Sequence, residues 1–112
     1  MIRLKKGLTL KVKKPVRIID KCYNMPSNGS LTTNTIIQIS GSPTRLSDVP
    51  FKVVSGGGNI NIRSLNHRGS EEQTPKEIIA GDSYFFNEGH KTVAPYDFGT
   101  LDSTYFEVVN VN

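Results

Sequence analysis

The chain has 112 residues, 36% apolar and 8% aromatic with no tryptophan, which leaves room for one domain with a lean core and none for a second. Its formal charge of +4 is polarised: residues 1–21 hold eight of the fourteen Lys and Arg against Asp20 alone, a net +7, while the remainder holds six basic residues against nine acidic ones, a net −3. Apolar runs stop at pairs and triplets such as Ile18-Ile19 and Tyr84-Phe85-Phe86, which excludes a transmembrane helix and a signal-peptide core behind Met1, and the lone Cys22 excludes an internal disulfide. The expected product is soluble and made in a reducing cytoplasm.

In chain order, the basic segment 1–21 is expected to form a first strand or arm. Within it Leu8-Thr-Leu10-Lys-Val12 alternates at period two, which describes a half-buried strand over 8–12 with a basic outer face. A second strand is expected over 16–20, after Pro15. Residues 24–35 are polar around Asn28-Gly29 and read as a long loop, either a hairpin tip or an extended excursion. Strands are then expected over 35–39, 51–54 and 59–63, with Ser55-Gly-Gly-Gly-Asn59 as a turn or bulge between the last two. Residues 64–76 read as a second polar loop. Ser70 there could cap a short acidic helix, but Pro75 would interrupt it after one turn. Strands over 83–87 and 104–111 complete the series. Turn residues interrupt the chain about every ten positions, the spacing of an all-β sandwich or barrel. The expected fold is therefore a single all-β domain over 1–112, an antiparallel β-sandwich of jelly-roll-like order. The lean core also points to stability gained by assembly.

No catalytic constellation emerges. His67 and His90 stand apart, and Cys22 precedes neither at a spacing used for tetrahedral zinc, so no metal site is expected. Neither Gly-x-Ser-x-Gly nor a P-loop string occurs. Asp97, Asp102 and Glu107 could meet as acid and base, yet scattered carboxylates on such a domain read as solvated charges. The chain is expected to be no enzyme and to use no cofactor.

Glu77-Ile-Ile-Ala-Gly81-Asp82-Ser-Tyr-Phe-Phe-Asn-Glu-Gly89-His90 resembles the second conserved motif of cupins, in which Gly-Asp opens a strand and a later Gly leads to a metal-binding His. His90 falls two positions earlier than the cupin ligand, and no His-x-His precedes it, so the metal site does not carry over. What the resemblance implies is the corner and strand of a jelly roll.

A basic segment raises nucleic acid as a partner, but residues 1–21 contain no aromatic side chain to stack on a base, which argues for protein instead. Length, β-rich pattern, missing active site and single cysteine together resemble the small head decoration proteins of tailed phages, and most nearly the staple protein of the epsilon15-like short-tailed phages. That resemblance implies a structural virion protein made in the host cytoplasm. It would sit on the outside of an icosahedral capsid and staple neighbouring major capsid subunits, without catalysis, cofactor or membrane, and with self-association as a dimer on the capsid. The partner-binding residues expected are the basic Arg3, Lys5, Lys6, Lys11, Lys13, Lys14 and Arg17, which steer docking, with Tyr23, Met25 and Leu31 as apolar anchors in the first polar loop. Two alternatives stay open: a small β-barrel nucleic-acid-binding adaptor, and a cupin-like ligand-binding domain without a metal site.

Overall fold

In the computed structural model the described residues are 2–20, 27–41, 50–86 and 100–109. They form eleven strands and no helix: β1 (Ile2–Arg3), β2 (Thr9–Val12), β3 (Val16–Asp20), β4 (Ser27–Leu31), β5 (Ile36–Ile39), β6 (Pro50–Ser55), β7 (Gly58–Leu65), β8 (Glu71–Ile78), β9 (Ser83–Phe86), β10 (Thr100–Leu101) and β11 (Phe106–Val108). Alternation decides which side chains turn inward. Leu10 and Val12 of β2, Val16 and Ile18 of β3, Ile37 and Ile39 of β5, Phe51 and Val53 of β6, and Tyr84 and Phe86 of β9 are buried in one core, each next to an outward residue.

The fold is an all-β antiparallel sandwich. Nine strands lie in the order β11-β2-β5-β6-β9-β3-β4-β7-β8, and the β1–β10 pair closes the core with Leu4 and Leu101. Four pairings nest one inside the next, β2 with β11, β3 with β9, β4 with β7 and β5 with β6, which is the folded-ribbon order of a jelly roll. Further pairings of β2 with β5, β6 with β9 and β3 with β4 sew the ribbon into one continuous sheet.

That sheet must curl over on itself. Between β11 and β9 lie four strand spacings, about 19 Å if the sheet were flat. Yet the Phe86 and Phe106 rings meet edge to face at 5.8 Å, with Phe51 against Phe86 at 4.7 Å. The two ends of this half of the sheet thus face each other across an aromatic centre.

Three crossings carry the chain between layers: residues 13–15, 32–35 and 56–57. They are bonded side by side. Val12 N–H donates to the Thr35 carbonyl at 2.8 Å and Asn34 N–H to the Val12 carbonyl at 2.7 Å, while Thr32 N–H donates to the Gly57 carbonyl at 2.9 Å. The buried Thr35 hydroxyl accepts the Gly57 N–H at 3.0 Å and lies 2.9 Å from the Gly57 carbonyl, to which it donates. The glycines are required by crowding. A methyl group at Gly57 would run into the Ile78 carbonyl, and one at Gly58 into the Ser30 carbonyl. The triple glycine read as a turn or bulge is thus a packed crossing from β6 to β7.

Three expectations need correction. Residues 24–35 are not all loop: 27–31 form β4, which sits inside the sheet between β3 and β7. Residues 64–76 are a loop only at 66–70, because β7 and β8 pair over their full eight residues, from Gly58 opposite Ile78 to Leu65 opposite Glu71. Pro75 is tolerated because β8 is an edge strand, where a missing N–H breaks no ladder. The basic segment is also not one strand or arm, since its described residues contribute β1, β2 and β3, with β2 and β3 separated by three other strands.

Two substitutions test this construction by urea unfolding. Thr35→Val keeps the shape but leaves the Gly57 N–H without its acceptor, and is expected to cost about 1–3 kcal/mol. Leu31→Ala, at a site with no exposure, is expected to cost about 2–5 kcal/mol.

Candidate functional site

The structure distributes the basic residues over two ends and two faces of the body. Arg3 is exposed on β1. Lys5 and Lys6 lie in the turn before β2, held against the end of β5 by Gly7 N–H donating to the Ile39 carbonyl at 2.7 Å. Lys13 and Lys14 lie at the other end of β2. There Lys13 N–H donates to the Tyr105 carbonyl at 2.7 Å, its ammonium group reaches the Ser103 carbonyl at 3.3 Å, and the Lys14 ammonium group sits 5.9 Å from the Tyr105 ring centre. Lys11 is half-buried on the face of β2, opposite Glu107 of β11. Arg17 points outward from β3, three strands away from β5 by way of β9 and β6.

Leu31 is not a surface anchor. It is fully buried, on the inward side of β4 with Ser27, so it belongs to the core. Tyr23 and Met25 lie outside the described residues, as do Cys22, His90 and Asp97.

Beside the Lys13–Lys14 end, Asp102 holds a tight turn. Its carboxylate accepts the Thr104 N–H at 2.8 Å while its carbonyl accepts the Tyr105 N–H at 3.1 Å. The hydrogen bond from the Thr104 backbone, then that from the Thr104 hydroxyl, holds this carboxyl below the ordinary value of 3.8. Such a group stays ionised at neutral pH and serves the turn rather than proton transfer.

The sequence reading missed a projecting arm. β7 pairs with β4 only from Gly58 to Asn61, and beyond Asn61, where Ile62 still packs against the core, the strands β7 and β8 pair only with each other among the described residues. At its root the buried Ser27 hydroxyl accepts the Arg63 N–H at 2.9 Å. Cross-strand side chains stitch the arm: Arg63 to Glu71, Asn61 to Gln73, and Asn66 to Glu72 at 3.2 Å. Its tip is built on Asn66, whose side-chain oxygen accepts the Arg68 and Ser70 N–H groups at 2.9 and 3.0 Å, with Gly69 at φ +79°. That Asn-x-x-Gly tip was the available signal. His67 and Arg68 are exposed there and Leu65 is 52% exposed.

Among the described residues no three His, Cys, Asp or Glu side chains come together as a metal site. No family model matches the chain, and no curated protein or solved structure matches it either.

Asp102 supplies a pH test. Because its folded pKa is lowered, the turn's added stability is complete above the ordinary 3.8 and is lost as pH falls through the lower folded value. An NMR titration following the Thr104 amide should give a midpoint below 3.8. A midpoint at or above that value would detach the carboxylate from the turn.

Proposed function

We propose that this protein is a structural clamp of the phage head decoration kind, docked on the outside of an icosahedral capsid and joining neighbouring major capsid subunits. One observation carries the reading: an arm whose strands, beyond Asn61, pair with nothing but each other among the described residues. A two-stranded ribbon is marginal in water by itself. Such an arm gains from a surface that covers it, and a body plus an arm offers the two separated contacts a clamp needs.

The cations fit the role of steering. Pairs at each end of β2 orient the body towards an acidic shell, while individual exposed ion pairs add only about 0–1 kcal/mol each. Affinity on this reading comes from the arm, through Leu65 and the backbone edge of β8. The nucleic-acid alternative is weakened by the same geometry. A strand of nucleic acid needs cations along one track with stacking platforms between them, whereas Lys5 and Lys6 are held at the opposite end of β2 from Lys13 and Lys14.

Co-sedimentation with heads of the phage that encodes the chain tests the proposal. Replacing residues 65–71 by Asn-Gly closes a two-residue hairpin between Ser64 and Glu72 and leaves the core untouched. That variant should melt as the parent does but lose capsid affinity by roughly tenfold or more. Changing Lys5, Lys6, Lys13 and Lys14 to Gln should slow association and flatten its salt dependence. Failure of the parent chain to sediment with heads, or undiminished binding by the shortened arm, would overturn the assignment. Steeply salt-dependent DNA affinity instead would support the nucleic-acid adaptor.

A further inference from the structure

The outer face of β3, β4 and β7 carries an arrangement that the clamp does not use. Strand register places Arg17 opposite Ser30 and Ser30 opposite Asn59, and the neighbouring row sets Asn28 opposite Asn61 and Asn61 opposite Pro75. Between these rows Gly29 and Ile60 turn inward, so the floor there is backbone, and the result is an open concavity of about 410 Å³. That volume lies within the usual range of small-ligand sites, about 300–1,000 Å³.

Its chemistry is selective. Side-chain amides and a hydroxyl both donate and accept, which suits a ligand whose own groups do both, as sugar hydroxyls do. The Asn61 amide nitrogen is engaged by Gln73 at 2.5 Å, which holds that side chain in place and leaves its carbonyl oxygen as an acceptor. No carboxylate among the described residues pairs with Arg17 and none lines the concavity itself; Glu77, opposite Asn59, stands beyond the far end of the first row, so an anion would meet the guanidinium at the Arg17 end. Among the described residues one cationic side chain lines it, which matches a single negative charge rather than a polyphosphate. With no aromatic side chain among the described lining residues, a nucleobase would have nothing there to stack on. The Pro75 ring offers one small apolar wall for C–H groups.

We propose that this concavity binds a carboxylated saccharide, with Arg17 receiving the carboxylate and Asn28, Ser30, Asn59 and Asn61 receiving hydroxyls. This goes beyond the clamp and does not depend on it, because the capsid experiment reads the arm and the lysines whereas this site reads Arg17 and the amide rows.

The test is an NMR titration of the full chain with D-glucuronate, D-glucose and inorganic phosphate in parallel, following the side-chain resonances of Arg17, Asn28, Asn59 and Asn61. Glucuronate is expected to shift these signals with millimolar affinity, and glucose to bind roughly tenfold or more weakly for want of the charge-assisted contact. Arg17→Gln should reduce glucuronate to the level of glucose, and Asn59→Ala should weaken both sugars. Both side chains are exposed, so unchanged melting and an unchanged amide spectrum elsewhere would show that the fold persists. Absence of shifts up to high millimolar glucuronate would overturn the proposal. Equal shifts with phosphate would overturn it in favour of a plain anion site, and equal affinity for glucose would overturn the role given to Arg17.

Discussion

The two layers of this sandwich are held in position by hydrogen bonds at a buried hydroxyl. Thr35 and Ser27 are the buried polar side chains among the described residues, and each satisfies backbone of the same stretch of chain: Thr35 the Gly57 amide and carbonyl, Ser27 the Arg63 amide. A buried amide left without an acceptor costs about 1–3 kcal/mol, so these two hydroxyls favour one path for the chain as it leaves β6 and enters the arm. The crowding at Gly57 and Gly58 acts in the same direction, since no side chain larger than hydrogen fits between the Ile78 and Ser30 carbonyls. Pairing of β4 with β7, the position of the amide rows and the root of the arm all follow from that path.

Strands with an apolar core face were legible in the sequence, and strands without one were not. Leu10 and Val12, Ile37 and Ile39, and Phe51 and Val53 announce themselves because alternate residues enter the core. In β8 every residue from Glu71 to Glu77 is exposed, so no alternation exists to be read, and Pro75 argues against a strand unless its edge position is known. β4 was hidden differently. Its inward residues are Ser27, Gly29 and Leu31, of which only Leu31 is apolar, because Ser27 has a hydrogen-bonding task and Gly29 lies where a methyl group would come within 2.8 Å of the Ile60 side chain. A leucine among such neighbours looks like a surface anchor in sequence and is a core residue in space.

The charge run shows the same limit. Eight basic residues in twenty-one positions read as one patch, but the chain crosses between layers at Lys13-Lys14-Pro15, and the crossing sends Arg17 to a face of its own. Sequence proximity turned into spatial proximity only where local hydrogen bonds enforce it, as at Lys13, Ser103 and Tyr105. The concavity around Arg17 has the opposite origin. Asn28 and Asn61 are far apart in the chain and become neighbours only through the register of β4 and β7, which no single-sequence pattern reports.

The nested pairings have a consequence for how the molecule comes into being. β2 is completed by β11 and β1 by β10, so residues 9–12 wait for 106–108, and residue 2 for residue 101. Contacts of such high sequence separation must meet the entropy of closing a long loop before any pairing energy is returned, and chains dominated by them fold in milliseconds to seconds rather than microseconds. During synthesis the edge of β2 and the half-built aromatic centre stay uncovered until Phe106 has left the ribosome. The β7–β8 hairpin, whose own ladder is local, can form long before that.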